Sequence, residues 1–338
     1  MIKISMSHKV SIIMPAYKAQ ATIKKSINSI LTQDYPDIEL LVVVDGLSDE
    51  TYSVVESMQE PRIKAFKKEN GGVVGAYKYG ISQASGDYIM FCDSDDTYKP
   101  GYISRAVELM EKHNCDFVSF AYDVVDSHDQ LVEEIHNTLP TGFYDQKKIQ
   151  EEIIPHLVFN SFDRTQMFIL LVLRWNKIYS RSLIEKFYSN LDENCYQIED
   201  NVFTVNAVLN ANSFYIDNDF KCYNYFISDN SISSGYQGND ILDRYFYSVE
   251  KIAQLTKDNP KISPSQVDFL AYDNARIVFR RCCKNADFNT ACQLLNKIKK
   301  NERVQRVHFG QLSMLKNKIY HIGLKLHLYR LLYVIFKR

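Results

Sequence analysis

Four consecutive positions, Asp93-Ser94-Asp95-Asp96, carry three carboxylates. Directly before them stands Tyr88-Ile89-Met90-Phe91-Cys92, apolar enough to be a strand buried on both faces. Acids brought to the rim of a sheet by a buried strand stand where open α/β proteins bind their ligands. Like charges this close repel one another, so a positive partner is expected among them. An acid-x-acid pair suits a hard divalent cation, Mg²⁺ or Mn²⁺, whose remaining oxygen ligands come from water and a polyphosphate. The plain alternative is a solvated loop of Asx-turns.

A second acid, Asp45, ends the apolar run Leu40 to Val44 and is followed by Gly46. At the same sheet edge its carboxylate can accept hydrogen bonds from a base or a ribose; otherwise it is a capping or turn acid. Asn70-Gly71-Gly72 is either a turn or a place where backbone approaches a phosphate closely. Glu199-Asp200 opens a helical pattern through Leu209, where the helix dipole favours ionised carboxylates. Trp175, the single tryptophan, is suited either to a sugar platform or to a core.

These residues need elements to hold them. Lys9 to Met14 is a β-type run stopped by Pro15, and Ile23, Ile27, Ile30 and Leu31 share one helical face. Leu40 to Val44 is a buried strand, Ser48 a helix cap, and Ile63 to Phe66 a third strand. A helix over about Val73 to Ala84 is thin on the side of Gly75, Ala76, Gly80 and Ala84. This alternation predicts an α/β domain with a mostly parallel sheet flanked by helices. Further strands are expected at Cys115–Phe120, Phe214–Ile216 and Cys222–Phe226, and only helices beyond about Gly238.

Taken in order, Val10 to Tyr17, Val44-Asp45-Gly46, Asn70-Gly71-Gly72 and Gly86 to Asp96 resemble family 2 glycosyltransferases of the GT-A fold. The resemblance is dense over roughly the first hundred residues. It resumes at Trp175 to Tyr179, at Glu199-Asp200 with Phe203, and at Asn230-Ser231-Ile232. It implies inverting transfer of a sugar from a nucleotide diphosphate, most simply a uridine-diphosphate sugar, to an acceptor hydroxyl. Pro15, Ala16, Tyr17, Asp45, Asn70, Gly71, Lys78, Asp93 and Ser94 would then contact the donor, with Asp45 reading the base. Asp93 and Asp95 would hold Mn²⁺ or Mg²⁺, Asp200 with Glu199 beside it would be the general base, and Trp175 with Asn176 would meet the acceptor. One departure stands out: family members commonly carry Arg-Asn where this chain has Tyr77-Lys78. Lys78 offers a point charge without the planar fork of arginine.

On this reading residues 1–100 form the nucleotide-sugar half of a GT-A domain, 101–237 the acceptor half, and 238–338 a helical region. A catalytically silent binding module or a nucleotidyltransferase are the rival readings. The formal net charge of -1 gives no reason to expect nucleic acid as a partner. Seven cysteines without C-x-x-C spacing suit reduced thiols in the cytosol. Met1 to His8 is too short and polar for an export signal, and no run approaches the roughly 20 apolar residues of a spanning helix. Arg303 to Arg338 holds eight Lys and Arg and no acid, with Leu324, Leu328, Leu331, Leu332 and Ile335 on one helical face. Such a segment suits the inner face of an anionic membrane, where a polyprenyl-linked saccharide acceptor resides, or else docking on its own protein or on another subunit of a homo-oligomer.

Overall fold

The computed structural model describes residues 8–46, 48–161, 167–227, 238 and 240–337. Asn230-Ser231-Ile232, where the family resemblance resumes, lies outside the described residues. The chain divides into two compact units. The first takes residues up to Glu151, Leu171–Asn194 and Asn206–Ser228; the second takes Glu152–Leu170, Cys195–Val205 and the residues from Asp229 onward. Segments 152–170 and 195–205, assigned by sequence to the acceptor half, therefore pack with the helical unit.

The first unit is built on strands β1 (Val10–Ala16), β2 (Ile38–Asp45), β3 (Ile63–Lys68), β4 (Tyr88–Phe91), β5 (Thr97–Tyr98), β6 (Phe117–Val125), β7 (Leu131–Ile135), β8 (Gly142–Tyr144), β9 (Lys177–Ser180) and β10 (Phe214–Phe226). Their order is β3-β2-β1-β4-β9-β6-β10-β5, with β7 on β6 and β8 on β10. Strands β1 to β4 pair in parallel, so all four end at one edge. Beyond β4 the sheet is mixed: β9 runs antiparallel to both β4 and β6, while β10 is parallel to β6. The parallel character expected for the whole sheet thus belongs to its first half, where every residue of β1 and β2 is buried.

Two boundaries differ from the sequence expectation for physical reasons. Pro15 does not stop β1; it pairs with Val43 on β2. The β4 ladder reaches only Ile13, so at Pro15 the far side of β1 carries no strand and a missing N–H is tolerated. The two strands expected near Phe214 and Cys222 are one strand, β10, whose bulges between Asp217 and Asn224 shift its register against β6.

Helices α1 (Ile23–Leu31), α2 (Thr51–Ser57), α3 (Gly72–Gln83), α4 (Tyr102–His113), the short α5 (Gln146–Lys148) and α6 (Arg181–Glu185) complete this unit. Ser48 does not cap α2; Asp49 does so instead, accepting from the Thr51 N–H and hydroxyl. The thin side of α3 meets the sheet, and a Cβ on Gly80 would come within 2.5 Å of Ile13 Cγ2. Helix α7 (Glu199–Asn210) begins among residues of the second unit and ends among those of the first.

The second unit holds α8 (Ile241–Thr256), α9 (Pro264–Asn285), α10 (Phe288–Lys300), α11 (Glu302–Arg306), α12 (Leu315–Lys325) and α13 (Tyr329–Lys337). Its centre is α9, which buries Leu270, Tyr272, Ala275, Phe279 and Cys282 among its neighbours.

At the edge of the parallel sheet where the strands begin, Glu39 is 3% exposed and collects partners from several segments. Its carboxylate accepts from Ser11 Oγ at 2.6 Å, from Ser85 N at 2.6 Å and from Lys64 Nζ at 2.7 Å. Burial alone would raise its pKa, but Lys64, Ser11 and Ser85 together hold it far below the ordinary carboxylate range. A depressed folded-state pKa stabilises above the unfolded value of about 4.5, and that contribution is lost as the pH falls below it. Glu39→Gln is expected to destabilise by about 1.5–3 kcal/mol at neutral pH, from lost charge-assisted hydrogen bonds. In urea titrations the gap to the unmodified protein should narrow toward acid; a gap independent of pH would contradict this assignment.

Candidate active site

At the edge where β1 to β4 end, the three carboxylates after β4 meet three different environments. Asp93 is met by Arg174, whose Nη2 donates to Asp93 Oδ1 at 2.8 Å. Arg174 is only 3% exposed, and its guanidinium lies over the ring of Tyr77, 5.0 Å from the ring centroid. Asp96 is buried and its Oδ1 accepts from the Phe226 N–H at 2.8 Å. Burial, followed by the charges of Asp95 and Asp93, pushes its carboxyl well above the usual range. Asp95 is the exposed member of the three, although partial desolvation by the surrounding edge raises its carboxyl as well.

The loop that carries these acids is tied down from several sides. The Asp93 N–H donates to the Tyr223 hydroxyl on β10 at 2.9 Å, and Thr22, just before α1, donates to the Ser94 carbonyl at 2.9 Å. The Tyr98 hydroxyl reaches back to the Phe91 carbonyl at 2.8 Å. Carboxylates on a loop so fixed need little reorganisation to receive a charged ligand.

Arg174 reaches Asp93 because its own segment is fixed. Lys177, buried at the start of β9, donates its ammonium to the carbonyls of Leu171 and Leu173 and to Asn176 Oδ1. Trp175 is 2% exposed and stacks on Tyr223 at 4.1 Å, with Tyr122 edge-on at 4.7 Å. Asn176 is fully buried and donates to the Phe120 carbonyl at 2.6 Å. The expectation that Trp175 and Asn176 touch an acceptor is corrected here: both lie inside the first unit, where they brace the segment that carries Arg174.

Asp45 serves as a cap rather than an open acceptor. Its two oxygens take the Gly71 N–H at 2.9 Å and the Gly72 N–H at 2.8 Å, and Lys68 Nζ lies 3.7 Å away. Asp45 thereby holds the Asn70-Gly71-Gly72 entry of α3, a helix start with amides otherwise left unsatisfied. Beside it opens a pocket of about 580 Å³, lined by Tyr17, Gly46, Ser48, Lys67, Lys68, Glu69 and Asn70. Of the residues expected to contact a donor, Tyr17 and Asn70 line this pocket. Pro15, Ala16 and Asp45 are buried and Gly71 is exposed, none of them lining the pocket, and Asp93 and Ser94 sit in the loop after β4.

Lys78 does not present its charge at that pocket. Its ammonium donates to the Leu191 carbonyl at 2.9 Å and stands 3.8 Å from Glu193. Cations found here instead are Lys67 and Lys68, which line the pocket, and Arg174, which meets Asp93; none of them is among the residues expected from the sequence. Lys68 stands two residues past the strand expected at Ile63 to Phe66, because β3 runs on to it, and Arg174 had no local signal. Glu199 and Asp200 open α7 in the second unit, in the first turn where acids are favoured, and both are half-buried.

Among the described residues no group of three or more His, Cys, Asp or Glu forms a metal site. The donor set still fits a hard cation of partial protein coordination: exposed Asp95, with Asp93 held near it, leaves the other ligands to water and phosphate.

A parallel half-sheet that ends beside a pocket and a fixed acid loop has the layout of α/β domains that bind ligands at the carboxyl ends of their strands. Residues 11–171 match the model of glycosyl transferase family 2. Over 120 residues the chain is 38% identical to the Escherichia coli UDP-Glc:alpha-D-GlcNAc-diphosphoundecaprenol beta-1,3-glucosyltransferase WfgD, covering 35% of this chain and 47% of that protein. The fold resembles that of S. aureus TarS residues 1-349 in complex with UDP, at TM-score 0.65 and 20% identity over 97% of this chain and 90% of that one. It also resembles the mannosyltransferase PcManGT from Pyrobaculum calidifontis in complex with GDP-Man and Mn²⁺, at TM-score 0.53 and 15% identity over 98% and 85% of the two chains. Within residues 11–171 the chain matches family 2 glycosyltransferases, and its fold is of the GT-A type. It spans less than half the length of the first curated relatives it matches.

The pair that anchors Asp93 can be tested directly. Arg174→Met is expected to lower stability by about 1.5–3 kcal/mol, the range for hydrogen bonds to charged groups. Arg174→Lys should recover only part of this, since ammonium lacks the flat fork and stacks poorly on Tyr77. Full recovery in urea unfolding by Arg174→Lys would contradict a role for the planar guanidinium.

Proposed function

We propose that the chain is a metal-dependent inverting glycosyltransferase that uses a uridine-diphosphate sugar. The acceptor is a hydroxyl of a saccharide carried on a lipid diphosphate, at the inner face of the membrane, in the synthesis of a surface polymer. The observation that carries this reading is the division of roles after β4, where Arg174 holds Asp93, burial quiets Asp96, and Asp95 stays exposed at the edge. The choice of uridine and of a lipid-linked acceptor leans on the UDP of the TarS complex and on the printed specificity of WfgD.

In this reading the nucleoside lies in the pocket of Tyr17, Gly46 and Asn70, with Lys68 near its phosphates. Asp95 and Asp93 would hold Mg²⁺ or Mn²⁺, which when bound offsets the charge that grows on the departing diphosphate. The acceptor oxygen attacks the anomeric carbon opposite the diphosphate, the bond to the diphosphate breaks, and the hydroxyl proton passes to Asp200. A positioned carboxylate base of this kind contributes about 10²–10⁴-fold.

Asp200→Asn is expected to lower transfer by at least about 10²-fold while binding of the nucleotide sugar stays close to normal. Nucleoside-diphosphate release, followed with Mn²⁺ and a lipid-linked saccharide acceptor, measures the first; calorimetry with the donor measures the second. Undiminished release by Asp200→Asn would remove Asp200 from the base role. Donor binding without release by the unmodified protein, acceptor present, would instead identify a binding module.

A further inference from the structure

The last two helices carry apolar side chains that are exposed among the described residues. On α12, Leu315, Ile319, Ile322 and Leu326 recur at intervals of four, three and four, which places them on one face. Leu315 is 72%, Ile322 40% and Leu326 63% exposed. On α13, Leu332 and Phe336 face inward, whereas Leu331, Val334 and Ile335 are 51%, 50% and 38% exposed, continuing from Leu328 at 41%. The single apolar face expected from the sequence is therefore split. Leu324 and Leu332 belong to the core, and Leu332 packs on Gly323, whose added Cβ would come within 2.5 Å of it. Leu328, Leu331 and Ile335 are left at the surface.

The charges on α12 and α13 themselves are of one sign. Lys316, Lys325, Arg330 and Lys337 are all exposed, and none pairs with a carboxylate among the described residues. The neighbouring α10 adds Lys299, which meets His327 and the Lys325 carbonyl at the turn between α12 and α13. From Arg303 onward there is no acid at all, although the whole chain is close to neutral. Exposed leucines among cations that have no carboxylate partner match one kind of surface, with phosphate at its rim and hydrocarbon beneath. No described helix is long and apolar enough to cross a membrane.

We propose that the exposed face of α12 and α13 binds the surface of an anionic phospholipid membrane. Its leucines and isoleucines enter the boundary below the headgroups, and its lysines and Arg330 meet lipid phosphates. This inference stands on the second unit alone and does not depend on the proposed transferase chemistry.

The test is sedimentation of the full chain with phosphatidylcholine vesicles, with and without phosphatidylglycerol. The expected result is binding to the anionic vesicles at least about tenfold stronger than to neutral ones, weakened by added salt. The double variant Arg330→Glu with Lys337→Glu should lose at least about tenfold in binding. Leu331→Ser with Val334→Ser should also lose binding, and because these side chains are exposed the thermal midpoint should not move. Nucleoside-diphosphate release with a water-soluble acceptor should be unchanged in all of these variants, which separates this proposal from the transferase reading. Equal binding to both vesicle types, or none, would overturn it. So would a concentration-dependent dimer that Leu331→Ser with Val334→Ser dissociates, which would show that a second copy covers the face.

Discussion

The guanidinium of Arg174 lies buried against the carboxylate of Asp93 and the ring of Tyr77. Much of the first unit is arranged to make this contact possible. Three carboxylates cannot share the end of one strand unless their charge is dispersed. Here one is neutralised by an ion pair, one is pushed toward protonation by burial, and one faces water. The aromatic packing of Trp175 on Tyr223 and the buried ammonium of Lys177 support that arrangement. Together they fix the segment from which Arg174 extends. Tyr223 takes part twice, stacking on Trp175 and accepting the Asp93 N–H.

The same contact explains an oddity in the chain. Where the family resemblance leads one to expect arginine, this protein has Tyr77, a ring that is 1% exposed. That ring does not replace the missing charge; it forms the face on which another arginine rests. The positive charge on Asp93 comes from Arg174, in the segment just before β9. Lys78 is engaged by the Leu191 carbonyl and Glu193.

The first four strands, the thin face of α3 and the acid loop were legible because their signals are local: apolar runs, small residues at helical spacing, acids at a strand end. Pro15 misled because whether a strand tolerates proline depends on its neighbours, and β4 stops pairing before Pro15 is reached. The bulged β10 looked like two strands because its polar middle interrupts the apolar run while its backbone stays paired with β6. Trp175 and Asn176 were drawn outward by their chemistry, yet burial is decided by partners distant in the chain. Arg174 was unreadable for the same reason, standing 81 positions from Asp93. Asp45 was recognised as important, but spacing does not say whether a carboxylate meets a ligand or caps a helix, and here it caps α3.

The central claim is that exposed Asp95 receives a divalent cation together with a nucleoside diphosphate at this edge. Calorimetric titration of uridine diphosphate into the protein, with Mn²⁺ and then with chelator, tests it most directly. The account predicts binding that requires Mn²⁺ and that Asp95→Asn loses by at least tenfold, about 1.4 kcal/mol. Equal affinity in chelator, or an Asp95→Asn protein that binds uridine diphosphate and Mn²⁺ as the unmodified chain does, would contradict it.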